Sequence, residues 1–449
     1  MRRFGLLLLA ALLCCLGRWT QLHGPAAGRS EHPDEGLWAA SGKRAYERLA
    51  LEHDVSLDEW SDPRLGPFDC PNPSFGKLLV GASLYAHGVV QAEAAISGYE
   101  DLGVGLGPSS QASSFPAFDW SELRTRRPGD AQRAAARKPL NWLAAALPAL
   151  LFLFVSRALG SLALGIAAAL SLVARPLFLE QARLALMDAP ATTLGLAALL
   201  LLVDGPARGT ASPVASVGPM RALSAGTLSG LAAATKLTGL FAPALGLAWL
   251  ALRPMQAPDD PEGLRHRLPP WLVRLRAVVL FGCAALLSFW LANPQLYRAP
   301  LAGLEPMLAL AEEVPKYDVP DERRLHDLPS RLGASVRIGL GEDAPFAHWA
   351  GLPFADAFLA CAGLFVLARA LRRDSPALSG AVLLCLWSLV SLALVLATTP
   401  FDWRRWYVPM EPVWALCSGL GIGLVLHVVF RPLRQLVSPS KRQASFGDG

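Results

Sequence analysis

Two adjacent acids, Asp34 and Glu35, follow the first hydrophobic stretch of the chain and are its best clue to chemistry. Carboxylates of this kind accept protons or bind cations. Near a membrane, such a pair is costly to hold unless water, a cation or a substrate faces it. The pair is therefore a candidate site, and an ordinary solvated loop is the alternative.

Single charged residues beside apolar runs form a second group of candidates. Lys77 follows two spaced prolines that break any preceding helix, so it should begin an interfacial helix, where a lysine by itself would extend to lipid phosphates. Arg183 and Asp188 share the run QARLALMDAP, in which Asp188 is also a plausible helix N-cap. Lys236 separates two apolar runs within ATKLTG.

A late basic and aromatic turn, FDWRRWY, carries Arg404 and Arg405. Its aromatic residues fit a membrane–water interface without any catalytic meaning. The paired arginines fit that interpretation poorly, because the turn lies on the outer side in the topology derived below. They are therefore candidates as well.

The elements that position these residues are membrane helices. Of 449 residues, 53% are hydrophobic and only 17% charged, and the mean hydropathy is +0.36. These values lie outside the range of soluble domains and predict an integral membrane protein. The net charge of +5 does not indicate binding to nucleic acid, because Lys and Arg gather in the cytoplasmic loops of membrane proteins.

Most of the cysteines lie in apolar runs, and neither metal-ligand spacing nor a disulfide framework is evident.

About ten apolar segments approach the length of a bilayer span, about 17 to 25 residues. The first, Met1 to about Gly17, is an uncleaved helix in our preferred interpretation and a signal peptide in the alternative. The others are predicted at about 139–156, 159–175, 189–203, 222–236, 238–252, 277–292, 353–368, 377–397 and 408–430.

Basic loops assign the two faces of the membrane. If Arg2 and Arg3 are cytoplasmic, the alternate connections and the tail are all basic, as the positive-inside rule requires. Both termini are then cytoplasmic, and the outer face carries two large loops, about 18–138 and 293–352. All the candidate residues share that outer face.

The first outer loop contains one apolar stretch, 77–95, that is interrupted by polar residues. If this stretch spanned the membrane, every later loop would change sides, so we predict an amphipathic helix on the outer interface. Residues 98–138 are rich in Gly, Ser, Pro and Arg and are predicted to be a loop.

The order of the motifs resembles the GT-C superfamily of polyprenyl-phosphate-sugar-dependent glycosyltransferases. The nearest likeness is to the protein O-mannosyltransferases and the bacterial lipid A aminoarabinose transferases. It rests on the acid pair, a Pro-x-x-Gly-Lys-Leu-Leu run, Gln-Ala-Arg-x-x-x-x-Asp-Ala-Pro, Ala-Thr-Lys-x-Thr-Gly, Asn293-Pro294 and a late Arg-Trp-Tyr turn. The mannosyltransferases usually have His-Pro-Pro before Gly-Lys, and this chain does not, so the acceptor stays open.

The resemblance implies an all-α polytopic membrane protein, a GT-C-like bundle of about ten transmembrane helices with a large first outer loop containing interfacial helices. Residues 1–300 would form the catalytic transmembrane module, including outer loop 18–138. Residues 301–352 would form the second outer loop, and 353–449 the C-terminal helices and cytoplasmic tail. The implied location is a bacterial inner membrane.

The implied activity is an inverting, metal-independent transfer of a sugar from a polyprenyl-phosphate-linked donor to an acceptor hydroxyl on the outer, periplasmic or lumenal face. The acceptor would be a protein, lipid or glycan, and neither a cofactor nor nucleic acid is expected. Asp34 would be the general base, with Glu35 as its helper. The donor phosphate would meet fixed cations, with Lys77 and Arg183 as first choices and Arg404 and Arg405 as second choices. Asp188 would orient Arg183, and Lys236 would support the site.

Two alternatives stay open. Asp34, Glu35 and Asp188 offer hard oxygen ligands, and oligosaccharyltransferases use acidic loops to hold a divalent ion. The first loop has no Asp-x-Asp motif, so we prefer the metal-free interpretation. The competing function is a transporter or lipid flippase, which usually needs ionisable residues near the bilayer midplane. Apart from basic residues at their ends, the predicted spans are almost empty of charge, and the exceptions are Asp356, Glu411 and His427.

Overall fold

The computed structural model describes a helical protein. The described residues are 2–23, 34–55, 72–89, 129–203, 217–253, 269–313, 323–342, 344–372, 377–402 and 404–437. In chain order the helices are α1 (Arg2–His23), α2 (Asp34–Tyr46), α3 (Phe75–Ala86), α4 (Asp130–Leu159), α5 (Leu162–Val173), α6 (Pro176–Gln181), α7 (Asp188–Leu202), α8 (Pro219–Thr235), α9 (Phe241–Leu252), α10 (Pro270–Leu291), α11 (Pro300–Glu313), α12 (Leu328–Val336), α13 (Pro345–Ala350), α14 (Ala355–Leu371), α15 (Ala377–Thr398) and α16 (Glu411–Val437). Shorter 3-10 and π-helical turns lie at Glu47–Glu52, Leu237–Leu240, Pro294–Leu296, Arg337–Glu342 and Arg404–Met410.

The predicted membrane segments coincide with helices α1, α4, α5, α7 to α10 and α14 to α16. Within the described residues, five helical stretches are long and apolar enough to cross a membrane. They are Gly5–His23, Asp130–Leu159, Trp271–Leu291, Gly380–Thr398 and Arg404–Phe430. The integral membrane protein predicted from composition is confirmed.

Small residues and aromatic rings hold the bundle together. Gly226 and Gly230 of α8 lie one turn apart against α10, where a Cβ on Gly230 would lie 2.2 Å from the Ala285 carbonyl oxygen. Such small-residue contacts let membrane helices pack at close range. Elsewhere in the core, the rings of Phe154 and Trp387 pack edge to face at 5.8 Å between centroids, joining α4 to α15.

The first outer loop differs from its prediction. The acid pair begins a helix, α2, so it does not lie in the solvated loop of the alternative interpretation. The interfacial helix predicted at 77–95 begins at Phe75 and ends at Ala86. The loop predicted at 98–138 is wrong for residues 130–138, which form the first turns of α4. Ala and Arg in that stretch favour helix, and buried Ala135 and Ala136 pack it against α3. Residues 90–128 lie outside the described part of the chain.

The second outer loop also contains helices, α11 to α13. Asp327 caps α12 by accepting a hydrogen bond from the Ser330 N–H at 2.8 Å. An isolated antiparallel bridge between Arg324 and Phe401 ties this loop to the turn that precedes α16. The loop is therefore attached to the end of the bundle where the candidate residues lie.

Candidate active site

A short segment between α6 and α7 contains some of the candidate residues and contacts the elements that carry the others. Residues 180–188, which we call the central loop, run from the end of α6 to the first residue of α7. Glu180, Arg183 and Asp188 belong to it. Its other residues contact the elements that carry the remaining candidates, as described below.

Glu35 fixes the start of α2 to the central loop. Its side chain is buried, with 3% of its surface exposed. Oε1 accepts a hydrogen bond from the Ala185 N–H at 2.8 Å. The Arg137 guanidinium donates from Nε to Oε1 and from Nη2 to Oε2, both at 2.6 Å. Such a forked, charge-assisted pair is strong and geometrically specific, so a solvated loop is the wrong description of Glu35.

Arg137 is a site residue that sequence reasoning missed. It lies in α4, within the stretch predicted to be a loop, and no motif marks it. Asp34 is the first residue of α2, and its side chain lies outside what the structure describes. Its backbone adjoins Glu35 and therefore lies close to the central loop.

Lys77 lies in the first turn of α3 and is buried, with 1% of its surface exposed. Its Nζ donates a hydrogen bond to the Asn72 carbonyl at 2.8 Å. The predicted helix break before Lys77 is confirmed, but the extension toward lipid headgroups is wrong because the side chain lies inside the protein. Gly76 packs directly on the central loop, since a Cβ on it would lie 2.2 Å from Met187 Sδ.

Two glycines set the spacing between α2 and α3. A Cβ on Gly81 would lie 2.1 Å from the Gly42 carbonyl oxygen, and a Cβ on Gly42 would lie 2.9 Å from the Lys77 carbonyl oxygen. The two backbones therefore touch where the helices cross. This crossing fixes the helix that begins with Asp34 relative to the helix that carries Lys77.

Arg183 is a buried cation with spare hydrogen-bond donors. Only 5% of its surface is exposed, and its Nη2 donates to the Thr20 carbonyl at 2.9 Å. Among the described residues, neither its Nε nor its Nη1 has a hydrogen-bond partner. Burial lowers the pKa of Arg183, Glu180 opposes that change and Arg137 adds to it. Since arginine stays protonated in proteins, this position suits an anion.

Asp188 pairs with Lys236, whose Nζ lies 2.5 Å from its Oδ1. We expected Asp188 to orient Arg183, but in the structure Asp188 forms its ion pair with Lys236. Asp188 is also the first residue of α7, and Met187 occupies the N-cap position that we predicted for Asp188.

The late basic turn reaches the same loop from the other side. Arg404, half exposed, lies 3.7 Å from Glu180, and Arg405 follows in the same 3-10 turn. The central loop therefore connects or adjoins the elements that carry all of the predicted site residues. Within the described residues, no group of three or more His, Cys, Asp or Glu side chains is placed to hold a metal ion.

The acids that bear on the transporter alternative make structural contacts. Glu411 and Arg175 are fully buried and form an ion pair at 2.5 Å, and Arg175 also donates to the Gly339 carbonyl. Asp356, in the first turn of α14, accepts a hydrogen bond from the Phe346 N–H at 2.8 Å. His427 is exposed on the outside of the bundle. Glu411 and Asp356 are therefore engaged in contacts within the protein, and His427 faces outward.

Residues 107–297 match the family model described as dolichyl-phosphate-mannose-protein mannosyltransferase. No curated protein matches the chain in sequence. Among solved structures, ArnT from Cupriavidus metallidurans bound to undecaprenyl phosphate is similar, with a TM-score of 0.52 and 15% identity. The alignment covers 99% of this chain and 66% of ArnT.

A second similar structure is the archaeal oligosaccharyltransferase AglB from Archaeoglobus fulgidus, in complex with an inhibitory peptide and a dolichol-phosphate, with a TM-score of 0.49 and 15% identity. The alignment covers 99% of this chain and 52% of AglB. The chain thus spans just under two thirds of the length of ArnT and about half of AglB. In its described residues the chain is therefore a helical, polytopic membrane protein with a fold similar to that of ArnT, and part of its sequence matches a mannosyltransferase family model.

Proposed function

We propose that the chain is a membrane glycosyltransferase that moves a sugar from a polyprenyl-phosphate-linked donor to an acceptor hydroxyl on the outer face of the membrane. The observation that carries this proposal is the central loop with its buried Arg183, whose Nε and Nη1 have no hydrogen-bond partner among the described residues. A buried cation with open donors is costly unless an anion completes it. The phosphate of a lipid-linked donor is such an anion.

The donor phosphate is bound by cations on both sides of the central loop. The planar guanidinium of Arg183 matches two phosphate oxygens, and Lys77 adds an ammonium from α3. Arg404, beside Glu180 and half exposed, and Arg405 contact the phosphate from the side open to solvent. Fixed cations of this kind stabilise the charge that develops on the leaving phosphate.

Asp34 is the general base of the transfer. It accepts the proton of the acceptor hydroxyl while the hydroxyl oxygen bonds to the anomeric carbon. The bond from that carbon to the phosphate oxygen breaks, and the phosphate leaves with the electron pair. Attack from the face opposite the leaving group inverts the anomeric configuration. No step needs a metal ion.

Glu35 has a different role from that of helper to the general base, which the sequence suggested. Arg137 and the Ala185 N–H occupy its oxygens, so Glu35 holds α2 and the central loop in register. Asp188 is engaged with Lys236. Both acids are therefore poor candidates for metal ligands.

The setting follows from the distribution of charge. The basic connections support a topology with both termini in the cytoplasm and the central loop on the outer face, and the proposed location is a bacterial inner membrane. The acceptor is a protein, lipid or glycan that approaches along the second outer loop.

The test is to incubate the purified full chain with a panel of polyprenyl-phosphate sugars and measure the release of free polyprenyl phosphate. We expect release with at least one donor, insensitivity to EDTA, and a loss of roughly 100- to 10,000-fold in Asp34→Asn, the range of general-base catalysis. Asp130→Asn, an exposed acid at the start of α4, is the matched control and should keep normal activity. Absence of release from every donor, or near-normal release by Asp34→Asn, would refute the proposal.

A further inference from the structure

A buried polar network joins the start of α3 to the end of α10. The Ser74 N–H donates to Asn293 Oδ1 at 2.8 Å, across 219 positions of sequence. The Ser74 hydroxyl donates to Gln295 Oε1 at 2.9 Å. All three side chains are essentially inaccessible. We call these three residues the Ser74 latch.

The latch has a fixed orientation. Asn293 Nδ2 donates to the Phe289 carbonyl in the last turn of α10 at 2.6 Å, and Gln295 Nε2 approaches Asn293 Oδ1 at 3.5 Å. The Asn293 amide therefore bridges the end of α10 and the backbone of Ser74. Buried networks whose members are satisfied in this way specify a single geometry more strictly than an apolar contact does.

The Ser74 latch fixes the backbone to which the Lys77 side chain is hydrogen-bonded. Ser74 immediately precedes α3, and its carbonyl accepts from the Leu78 N–H at 2.9 Å. The Lys77 ammonium donates to the carbonyl of Asn72, two residues before Ser74. The turn from Asn72 to Ser74 is therefore attached to the latch on one side and to the Lys77 side chain on the other.

The second outer loop contacts the latch from the opposite direction. Gly303 of α11 packs on Gln295, because a Cβ on Gly303 would lie 2.5 Å from the Gln295 carbonyl oxygen. The Ser74 latch thus lies between α11 and the turn from Asn72 to Ser74, to which the Lys77 ammonium is hydrogen-bonded.

We infer that Asn293, supported by Gln295, is a positioning residue for the donor phosphate. It touches no substrate and acts by fixing the turn that places the Lys77 ammonium. This inference rests on the proposed function, because it requires Lys77 to contact the phosphate.

The test measures binding of undecaprenyl phosphate to the purified full chain, with uncharged undecaprenol as a control for the lipid tail. Asn293→Leu should raise the Kd for undecaprenyl phosphate at least about tenfold, the equivalent of about 1.4 kcal/mol, and leave the Kd for undecaprenol unchanged. Asn293→Asp keeps an oxygen for the Ser74 N–H and should recover part of the loss. Ser288→Ala removes another buried hydroxyl of α10 and should change neither Kd.

A double variant shows whether Asn293 acts through Lys77. Lys77→Met should itself weaken binding of the phosphate, and Asn293→Leu should then add no further loss. Additive losses, or equal weakening of phosphate and alcohol binding, would overturn the inference. Where Asn293→Leu fails to fold, Ser74→Ala and Asn293→Asp carry the same comparison.

The two proposals fail in different ways. Full phosphate affinity in Lys77→Met would remove Lys77 from the donor site and overturn the inference with it. Weak binding in Lys77→Met together with intact binding in Asn293→Leu would overturn the inference alone and leave the donor site standing.

Discussion

Replacing Glu35 with glutamine separates a positioning role from contact with the acceptor. Glu35 accepts hydrogen bonds from the Arg137 guanidinium and from the Ala185 N–H. Glutamine keeps one acceptor oxygen but removes the charge that Arg137 faces. A hydrogen bond to a charged group contributes about 1.5–3 kcal/mol. The Arg137 side chain is 24% exposed and solvent screens part of the loss, so we expect the free energy of unfolding to fall by about 2 kcal/mol.

The kinetic consequence should appear at the donor. Ala185 lies two residues from Arg183, so a loosened central loop misplaces the guanidinium. A misplacement of about 1 Å can cost roughly 100-fold in rate. We therefore expect Glu35→Gln to lower kcat by roughly 10- to 100-fold and to raise the donor KM, while the acceptor KM stays unchanged. Steady-state release of polyprenyl phosphate and thermal denaturation in detergent measure these effects.

Arg137→Met and the double variant complete a thermodynamic cycle with Glu35→Gln. If the pair acts as a unit, the losses of the two single variants will not add, and the coupling will exceed about 0.5 kcal/mol. Asp130→Asn is the control, because Asp130 is 93% exposed and pairs with Arg133 within the same helix. Strictly additive losses, or a rise in the acceptor KM alone at unchanged stability, would refute the positioning role.

Three further predictions concern the surroundings of this network. Gly81→Ala should push α2 away from α3, lower the free energy of unfolding by about 1–3 kcal/mol and reduce turnover. Gly5→Ala, with open space around Gly5, should change neither stability nor turnover. Normal turnover in Gly81→Ala would show that the contact between α2 and α3 does not matter for activity. Arg183→Met should weaken binding of undecaprenyl phosphate without lowering the melting temperature, since a partly unpaired buried charge is removed; a large loss of melting temperature would contradict this. Hydrogen bonds from Ser330 lower the pKa of Asp327, so its stabilisation of α12 is present above the ordinary carboxyl pKa and is lost as the pH falls through the lowered value. The protection factors of the α12 amides, which correct for the intrinsic pH dependence of exchange, should therefore fall at low pH, and Asp327→Asn should abolish that dependence.

The membrane helices could be predicted from the sequence because lipid demands long apolar runs. The segment predicted at 377–397 is α15, Ala377–Thr398, and the one predicted at 189–203 is α7, Asp188–Leu202. In each case the apolar composition alone determines where the helix lies.

Apart from the interfacial helix α3, the short helices of the two predicted outer loops could not be predicted in that way. α2 is short and mixed in composition, and short helices depend on tertiary packing for their stability. Here Trp38 is buried against α3 and α4, and Gly42 contacts Gly81. Pro139 lies inside α4. Because proline usually marks the beginning of a helix, the sequence predicted that this helix begins near Pro139, and its first turns were missed.

Residue types and sidedness indicated the candidate site, but its pairings depend on geometry that no local pattern encodes. Asp188 meets Lys236, which is 48 positions away, and Arg183, only five positions away, donates instead to Thr20. Arg137 and Gln295 carry no motif at all. Their roles became visible only when distant elements were brought together.

The central loop explains why these pairings matter for the proposed reaction. Glu35 adjoins the proposed base in sequence and bonds to Ala185, while Arg183 lies two residues before that contact. The proposed base and the first cation for the leaving phosphate are therefore attached to one hydrogen-bonded unit. Donors that are fixed in advance stabilise the charge that develops on the leaving group without further reorganisation. The Nε and Nη1 donors of Arg183, which have no partner among the described residues, lower the stability of the folded protein. In the proposed reaction they are available to bind the donor phosphate.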